Sequence, residues 1–372
     1  MILDGKALAY RGRRVNPTPF VRLLLLLILL YAFFVSISLL GASFKFFGKG
    51  FAERLLTMTS NPFTGLFIGI LATSLVQSSS TITSMVVGLV AGGALSVSGA
   101  IPIVIGSNIG TSVTNTLVSV GHISRPAEFR RAFAAATIHD FFNLISVLII
   151  FPLQLATNFL GSASSFMARQ LEESGGLELI NPLKTIVSPS VKLIIKLTGE
   201  SGVLMLIIAV VLLFVALRFI VVNLRALVIG KIERFFDKTL FRNAFTALLL
   251  GLVVTVMVQS SSITTSLTVP LAAASILTLR QIFPFALGAN VGTTITAILA
   301  SLVTSDQAAV TVAFAHLLFN VTGIILIWPI KRVPLYLSET LAAASIKSRL
   351  VPIVYILVVF FLIPIVLIYF AR

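Results

Sequence analysis

The sequence predicts an all-α polytopic membrane protein: two inverted-topology repeats, each with a re-entrant, broken-helix hairpin plus transmembrane helices, about 8 spans in total. Three observations predict it. Apolar residues make up 58% of the 372 and charged residues 10%, and the mean hydropathy of +1.09 is far above that of a water-soluble domain. A polar string, Val76-Gln77-Ser78-Ser79-Ser80-Thr81, lies inside membrane-length apolar sequence and recurs 182 residues later as Val258-Gln259-Ser260-Ser261-Ser262-Ile263. Loops at equivalent places in the two copies carry opposite charge bias.

The elements follow in order. Residues 1–60 hold a basic tail (Lys6, Arg11, Arg13, Arg14), placed in the cytoplasm by the positive-inside rule, and a first span from Val21 to Phe44. That span is roughly 24 residues, longer than a signal-peptide core of about 7 to 15, so an uncleaved helix is expected. Repeat 1 covers 61–160. Residues 161–200 carry four basic and four acidic side chains, which suits an extracytoplasmic linker. Residues 201–242 form a connecting span (Gly202 to Val222) and a cytoplasmic loop, where Arg225, Lys231, Arg234, Lys238 and Arg242 outnumber Glu233 and Asp237. Repeat 2 covers 243–330, and residues 331–372 form a cytoplasmic loop and a C-terminal span from Val351 to Phe370.

Asn61 to Ser119 aligns with Asn243 to Ser301 without a gap, with 25 identities in 59 positions, a level that unrelated apolar spans do not reach by chance. The alignment carries Gly69 onto Gly251, Thr73 onto Thr255, Gln77 onto Gln259, Pro102 onto Pro284 and Gly106-Ser107-Asn108-Ile109-Gly110-Thr111 onto Gly288-Ala289-Asn290-Val291-Gly292-Thr293. Each copy continues into a similar span, His139-Asp140-Phe141-Phe142-Asn143 or His316-Leu317-Leu318-Phe319-Asn320. Duplication in a membrane protein points to a transporter. The loop after Ser119 holds Arg125, Arg130 and Arg131 with Glu128, whereas its counterpart after Ser301 holds only Asp306, so the two belong on opposite sides. One loop fits poorly: Phe44 to Ser60 should be outside yet carries Lys45, Lys49 and Arg54 against Glu53. Two ordinary spans in each aligned stretch would return the chain to its starting side. One element per repeat must therefore enter and leave by the same face, and the Gln-Ser-Ser-Ser stretch, a helix, an unwound turn and a second half-helix, is the candidate.

Composition also excludes. The net charge of +15 could suggest nucleic acid, but the 27 basic residues lie mainly in loops and at span ends, so no nucleic-acid partner is expected; the bilayer is the partner. Without cysteine there is no disulfide and no thiolate chemistry, and three scattered histidines (His122, His139, His316) are too few for a metal cluster. With no phosphate-loop motif, nucleophile elbow or metal triad, no enzyme, no catalytic residue and no cofactor is expected, and secondary transport remains.

The strings themselves are the prime candidates. Nine of the twelve residues from Thr73 to Ser84 are Thr, Ser or Gln, and each such group left unpaired in hydrocarbon costs several kcal/mol, so they must bind one another, water or a ligand. A broken helix offers free N–H groups to anions and free carbonyls to cations. Gln77, Ser78, Ser79 and Ser80 with Gln259, Ser260, Ser261 and Ser262 add amides and hydroxyls, and uncharged oxygen suits a hard alkali cation. The bland reading is helix-packing glue; two aligned strings favour a site. The Gly-x-Asn-x-Gly-Thr segments, with Asn108, Thr111, Asn290 and Thr293, either interrupt a helix at a site or pack helices closely. Asp140, the one acidic residue between Phe133 and Leu160, either serves a function at a cost of roughly 2.5 to 3.5 kcal/mol or pairs with Arg130 or Arg131. His139 and His316 read as hydrogen-bonded interior histidines.

Two Gln-Ser-Ser-Ser strings, each followed by Gly-(Ser/Ala)-Asn-(Ile/Val)-Gly-Thr, with Phe129-Arg130-Arg131-Ala132-Phe133 leading to His139-Asp140-Phe141-Phe142-Asn143, resemble the type II sodium-dependent phosphate cotransporter family from about Asn61 to Tyr369. The resemblance implies a cell-membrane symporter that couples inorganic phosphate uptake to sodium by alternating access. It implies phosphate and sodium at Gln77, Ser78, Ser79, Ser80, Gln259, Ser260, Ser261 and Ser262, with Thr264, Thr265, Ser266 and Asp140 as further sodium ligands. With the residues read beside the strings, the expected phosphate ligands also include Asn108 and Asn290, and the expected sodium ligands, Gln77, Ser79, Gln259 and Ser261 among them, also include Thr81, Thr111 and Thr293. Sodium ions are then coupling ions rather than cofactors, and a homodimer is one expected assembly. Asp140 stands where electrogenic relatives bind an additional sodium, while Ser107 stands where they usually have Ala. The chain ends at Arg372, where animal relatives add a span and a tail, and its linker lacks their cysteines, so a bacterial member with its C-terminus outside is expected. Site chemistry alone also allows a sodium symporter for another small oxyanion or metabolite, a phosphate exporter or a channel.

Overall fold

A computed structural model of the chain describes residues 19–47, 53, 56–57, 59–176, 181–235, 241 and 243–371. The basic tail before Pro19, and Lys49, Arg54, Asp237, Lys238 and Arg242, lie outside the described residues, and so do the topology arguments that rest on them. The elements are α1 (Pro19–Phe46), α2 (Pro62–Val76), α3 (Ser79–Ala91), α4 (Val97–Gly110), α5 (Val113–Val120), α6 (Pro126–Thr157), α7 (Phe159–Glu173), α8 (Asn181–Leu197), α9 (Gly202–Phe235), α10 (Ala244–Val258), α11 (Ser261–Ser266), α12 (Thr268–Ala273), α13 (Leu279–Thr304), α14 (Gln307–Ile327), α15 (Arg332–Lys347), α16 (Leu350–Leu357) and α17 (Ile363–Phe370), the last two joined by a π-turn at Val358–Leu362. No strand occurs among the described residues.

Seven stretches among the described residues are long and apolar enough to cross a membrane, in α1, α4 to α5, α6, α9, α13, α14 and α16 to α17. That is close to the count of about 8 read from the sequence, and the difference lies in the hairpins. Helices α2, α3 and α10 have 15, 13 and 15 residues. At 1.5 Å per residue each reaches only about 20 to 23 Å, short of a hydrocarbon layer of about 30 Å.

Both hairpins are built by the same local chemistry. Asn61 caps α2 through the Phe63 N–H (3.0 Å) and Asn243 caps α10 through the Phe245 N–H (2.9 Å). Both helices end on a glutamine in the left-handed region, Gln77 and Gln259, each with φ 57°. The next residue is extended, Ser78 at φ −150° and Ser260 at φ −154°, and its hydroxyl caps the following helix at the Thr81 N–H (3.2 Å) or the Ile263 N–H (3.4 Å). Each serine string is thus a helix start, and the chain reverses across two residues.

Small residues weld each hairpin to the next helix. A Cβ on Gly69 would fall 2.1 Å from the Ile103 carbonyl oxygen and one on Gly106 2.0 Å from that of Leu66, so α2 and α4 touch backbone to backbone. Gly251 against Phe285 (2.0 Å) and Gly288 against Leu248 (1.8 Å) repeat the contact between α10 and α13. The glycines of the Gly-x-Asn-x-Gly-Thr segments therefore serve close packing. A helix interruption after them occurs in repeat 1, between α4 and α5, whereas α13 runs unbroken through Gly292 and Thr293.

Contacts sort the element ends into two groups. Asn61 Nδ2 donates to the Ala371 carbonyl (2.7 Å), and Val97, Asn158 and Gln307 border one crevice. At the other end, Gln281 Nε2 donates to the Phe241 carbonyl (3.4 Å), Arg131 Nε donates to the Ala272 (3.2 Å) and Ala273 (2.9 Å) carbonyls, and Ala244, Arg280, Lys331 and Arg332 border another crevice. Helices α1 and α9, outside both repeats, share an apolar core with α3, α4 and the C-terminal half of α13, through Leu39, Leu40, Val87, Leu213 and Val303 among others.

Candidate functional site

The two reversals meet. Gln77, Ser78, Ser80 and Thr81 of one hairpin and Gln259, Ser260 and Ser262 of the other border a single cavity of about 260 Å³, closed on a third side by Phe214, Leu217, Arg218 and Val221 of α9 and on a fourth by Thr114. Residues 182 apart in sequence thus face one another across a space large enough for a small solute. Ser79 and Ser261 are buried beside it, and the N–H groups of Ser79 and Ser80, at the first two positions of α3, have no place in the helix's own ladder.

The two halves of this cavity are not equivalent. The Gln259 amide is fixed: Oε1 accepts from Thr296 Oγ1 (2.8 Å) and Nε2 donates to the Val256 carbonyl (2.6 Å). The Gln77 side chain is exposed to the cavity and makes no hydrogen bond to the described residues, and Thr114, the counterpart of Thr296, has a buried hydroxyl without a partner. Thr73 and Thr255, one helical turn before each glutamine, also carry buried unpaired hydroxyls. An unpaired buried hydroxyl is costly, and a ligand is one way to satisfy it.

Asn108 and Asn290 lie apart from the cavity. They belong to a buried network whose partners cross between the repeats: His139 Nε2 pairs with Asn290 Oδ1, and His316 Nε2 lies 3.3 Å from Asn108 Oδ1. Asn290 Nδ2 donates to Asn143 Oδ1 (2.8 Å), Asn143 Nδ2 to the Asn108 carbonyl (2.9 Å) and Asn320 Nδ2 to Asn108 Oδ1 (3.3 Å). Both histidines are interior and hydrogen-bonded, in keeping with the sequence reading. The two asparagines work as struts rather than facing the cavity.

Asp140 is fully buried and pairs with neither Arg130 nor Arg131; Arg131 is spent on the carbonyls of α12. Its Oδ2 accepts from Tyr355 Oη (3.0 Å) and Thr116 Oγ1 (3.5 Å), while Oδ1 has no partner. Of the other expected sodium ligands, Thr111 and Thr293 donate to the carbonyls four residues back (3.0 Å each), Thr264 to the Ser260 carbonyl (2.9 Å) and Ser266 to that of Ile263 (2.9 Å). Thr265 and Asn115 bond each other across the repeats, with Asn115 Nδ2 2.8 Å from Thr265 Oγ1. None of Thr111, Thr264, Thr265, Ser266, Thr293 and Asp140 borders the cavity.

Sequence reasoning missed Arg218, Thr114, Thr296 and Tyr355. Arg218 left a signal, as the one charged residue between Gly202 and Leu224, inside an apolar span. Tyr355 left none, because its contact with Asp140 closes over 215 residues.

The profile of the family described as Na+/Pi-cotransporter matches residues 32–168 and 212–333. The chain belongs to the Na+/Pi-cotransporter family. Among curated members, sodium-dependent phosphate transport protein 2B of Homo sapiens is 32% identical over 92% of this chain and 64% of its own length, and protein 2A of Rattus norvegicus is 33% identical over 93% and 67%. The chain thus spans somewhat under two thirds of the 2B relatives' length. No solved structure gives a significant match. Within the matched segments of this Na+/Pi-cotransporter family chain lie both reversals, Arg218, Asp140 and the histidine–asparagine network, whereas Tyr355 and α8 lie outside them.

Proposed function

We propose that this member of the family is a secondary active transporter that carries inorganic phosphate into the cell with sodium by alternating access, both bound at the paired Gln-Ser reversals. One observation carries the reading: two copies of the string, far apart in sequence, border the same cavity. Phosphate takes donors from the Gln77 amide, the serine hydroxyls and the free N–H groups at the start of α3, the helix end that favours anions. Sodium takes oxygen, from hydroxyls near the turns and from Asp140, whose Oδ1 is unpaired. In a cavity with one fixed positive charge, cations bound beside the phosphate offset its desolvation. The 2A and 2B relatives, sodium-dependent phosphate transport proteins by name, agree with this substrate pair.

The hairpins enter from opposite faces. The ends of α2 and α3 group with Asn158, Gln307 and Ala371; those of α10 and α12 group with Arg131, Arg280 and Lys331, one span of α6 or α14 away. The basic group belongs in the cytoplasm. The exchanged pairs, His139 with Asn290 and His316 with Asn108, support a pseudo-two-fold between the repeats, since a two-fold makes residue contacts reciprocal. A site on that axis can be presented to either face in turn.

Purified protein in liposomes should accumulate labelled phosphate with an inward sodium gradient. Equal uptake in potassium or choline would sink the coupling. Stronger competition by sulfate or a dicarboxylate than by arsenate would move the substrate to another anion class.

A further inference from the structure

We propose that Arg218 is the fixed cation of the anion site, a substrate-contacting residue supplied by a helix outside both repeats; the proposal rests on the phosphate reading above and names a residue that reading does not need. Among the described residues, Arg218 is the one charged side chain bordering the cavity shared by Gln77, Ser78, Gln259 and Ser260. It is also the one charge in α9 between Gly202 and Leu224, sixteen residues or about 24 Å from the helix start, well inside the span. A charge at that depth is costly and is kept where it faces a partner or a polar cavity. No carboxylate answers it: the ion pairs among the described residues are His122 with Glu128 and Arg125 with Glu128. A lipid-facing arginine would reach for the nearest interface, as Arg225 can, two turns further on. Arg218 instead sits on the face of α9 that carries Phe214, Leu217 and Val221 against the two reversals.

A guanidinium offers two parallel N–H donors to two oxygens of one phosphate, a fit that neither the serine hydroxyls nor sodium supplies. It also distinguishes a dianion from a monoanion or a neutral solute more strongly than uncharged donors do. The depth of Arg218, past the middle of the Gly202–Arg225 span, puts it on the cytoplasmic half of the cavity under the topology proposed above. It holds the anion when the outer hairpin lets go.

The test compares wild type, Arg218→Gln, Arg218→Lys and, as a control charge away from the cavity, Arg225→Gln. The readouts are sodium-driven phosphate uptake, equilibrium binding of labelled phosphate to the purified protein in sodium, and thermal unfolding. Arg218→Gln is expected to raise the KM and the dissociation constant for phosphate about tenfold or more, with the sodium concentration for half-activation moved less than about threefold and the unfolding temperature unchanged. Arg218→Lys should recover part of the affinity, and Arg225→Gln should match wild type. Wild-type affinity in Arg218→Gln would overturn the proposal and make Arg218 a lipid-facing residue. Loss of affinity together with stability, not recovered by lysine, would overturn it in favour of packing. Wild-type binding of phosphate without sodium-driven uptake would defeat the transport reading alone, and the binding comparison would still decide Arg218. No wild-type binding at all would defeat both.

Discussion

His316 Nε2 lies 3.3 Å from Asn108 Oδ1, and the same pairing is made in exchange by His139 and Asn290. Each repeat lends its histidine to the other's asparagine, so the two halves cannot part without breaking both pairs. All four side chains are buried.

A role as struts predicts a stability effect. Asn108→Ala leaves His316 Nε2 unpaired and Asn290→Ala leaves His139 Nε2 only a 3.4 Å contact with Asn143 Nδ2, so each should cost about 1 to 3 kcal/mol in thermal or denaturant unfolding of purified protein. Phosphate KM in whatever protein folds should stay near wild type. A variant of full stability with a raised KM would return these asparagines to the phosphate site.

The glycine contacts predict a sharper loss. Gly106→Ala and Gly288→Ala place a methyl group 2.0 and 1.8 Å from a carbonyl oxygen on the partner helix, where no flexible side chain can yield. Overpacking of this kind costs about 1 to 3 kcal/mol and more when backbone must move, so both variants should show sharply reduced yields of folded protein. Gly121→Ala, whose added methyl meets nothing closer than 3.3 Å, is the control and should express normally.

These particulars show what could be read in advance. Helix content, the duplication and the break at each Gln-Ser-Ser-Ser string follow from hydropathy and from residues whose local chemistry is complete, such as the Asn61 and Ser78 caps. The two reversals form one cavity because tertiary packing brings Gln77 to Gln259, and periodicity carries no such distance. A polar residue between glycines, such as Asn108, looks the same in sequence whether it binds solute or a histidine on another helix, and the contact with His316 closes over 208 residues. Arg218 has no counterpart to mark it, because α9 lies outside the repeats. The asymmetry between Gln77 and Gln259 was invisible, since Thr114 and Thr296 are identical residues at matched positions and differ only in what they touch.

Asp140 and Tyr355 predict a voltage effect. If a sodium ion at the unpaired Oδ1 travels in addition to two that neutralise a phosphate dianion, each cycle carries one net positive charge inward, and 100 mV is worth about 2.3 kcal/mol per charge, on the order of 50-fold in accumulation. Asp140→Asn should abolish the stimulation of phosphate uptake by an inside-negative potential set with potassium and valinomycin, while leaving uptake at zero potential measurable. Tyr355→Phe removes a donor but leaves the carboxylate, so stimulation should persist with a several-fold change in the sodium concentration needed. Undiminished stimulation in Asp140→Asn would place the additional charge elsewhere.

The last prediction separates binding from folding at the reversals. Gln77 and Gln259 both hold φ 57°, a conformation costing a non-glycine residue roughly 1 to 2 kcal/mol, so strain is built into each turn. Glycine removes that strain but loses more freedom on folding, by about 0.4 to 1 kcal/mol, so the backbone effects nearly cancel. What differs is the side chain. Gln77 has no partner to lose, so Gln77→Gly should unfold close to wild type and yet transport poorly. Gln259→Gly gives up its bonds to Thr296 and Val256 and strands the Thr296 hydroxyl, at about 1 to 3 kcal/mol, so it should lose transport and stability together. Uptake and thermal unfolding of the two purified variants decide the matter. Equal destabilisation would remove the asymmetry between the halves, and intact uptake in both would remove the glutamines from the site.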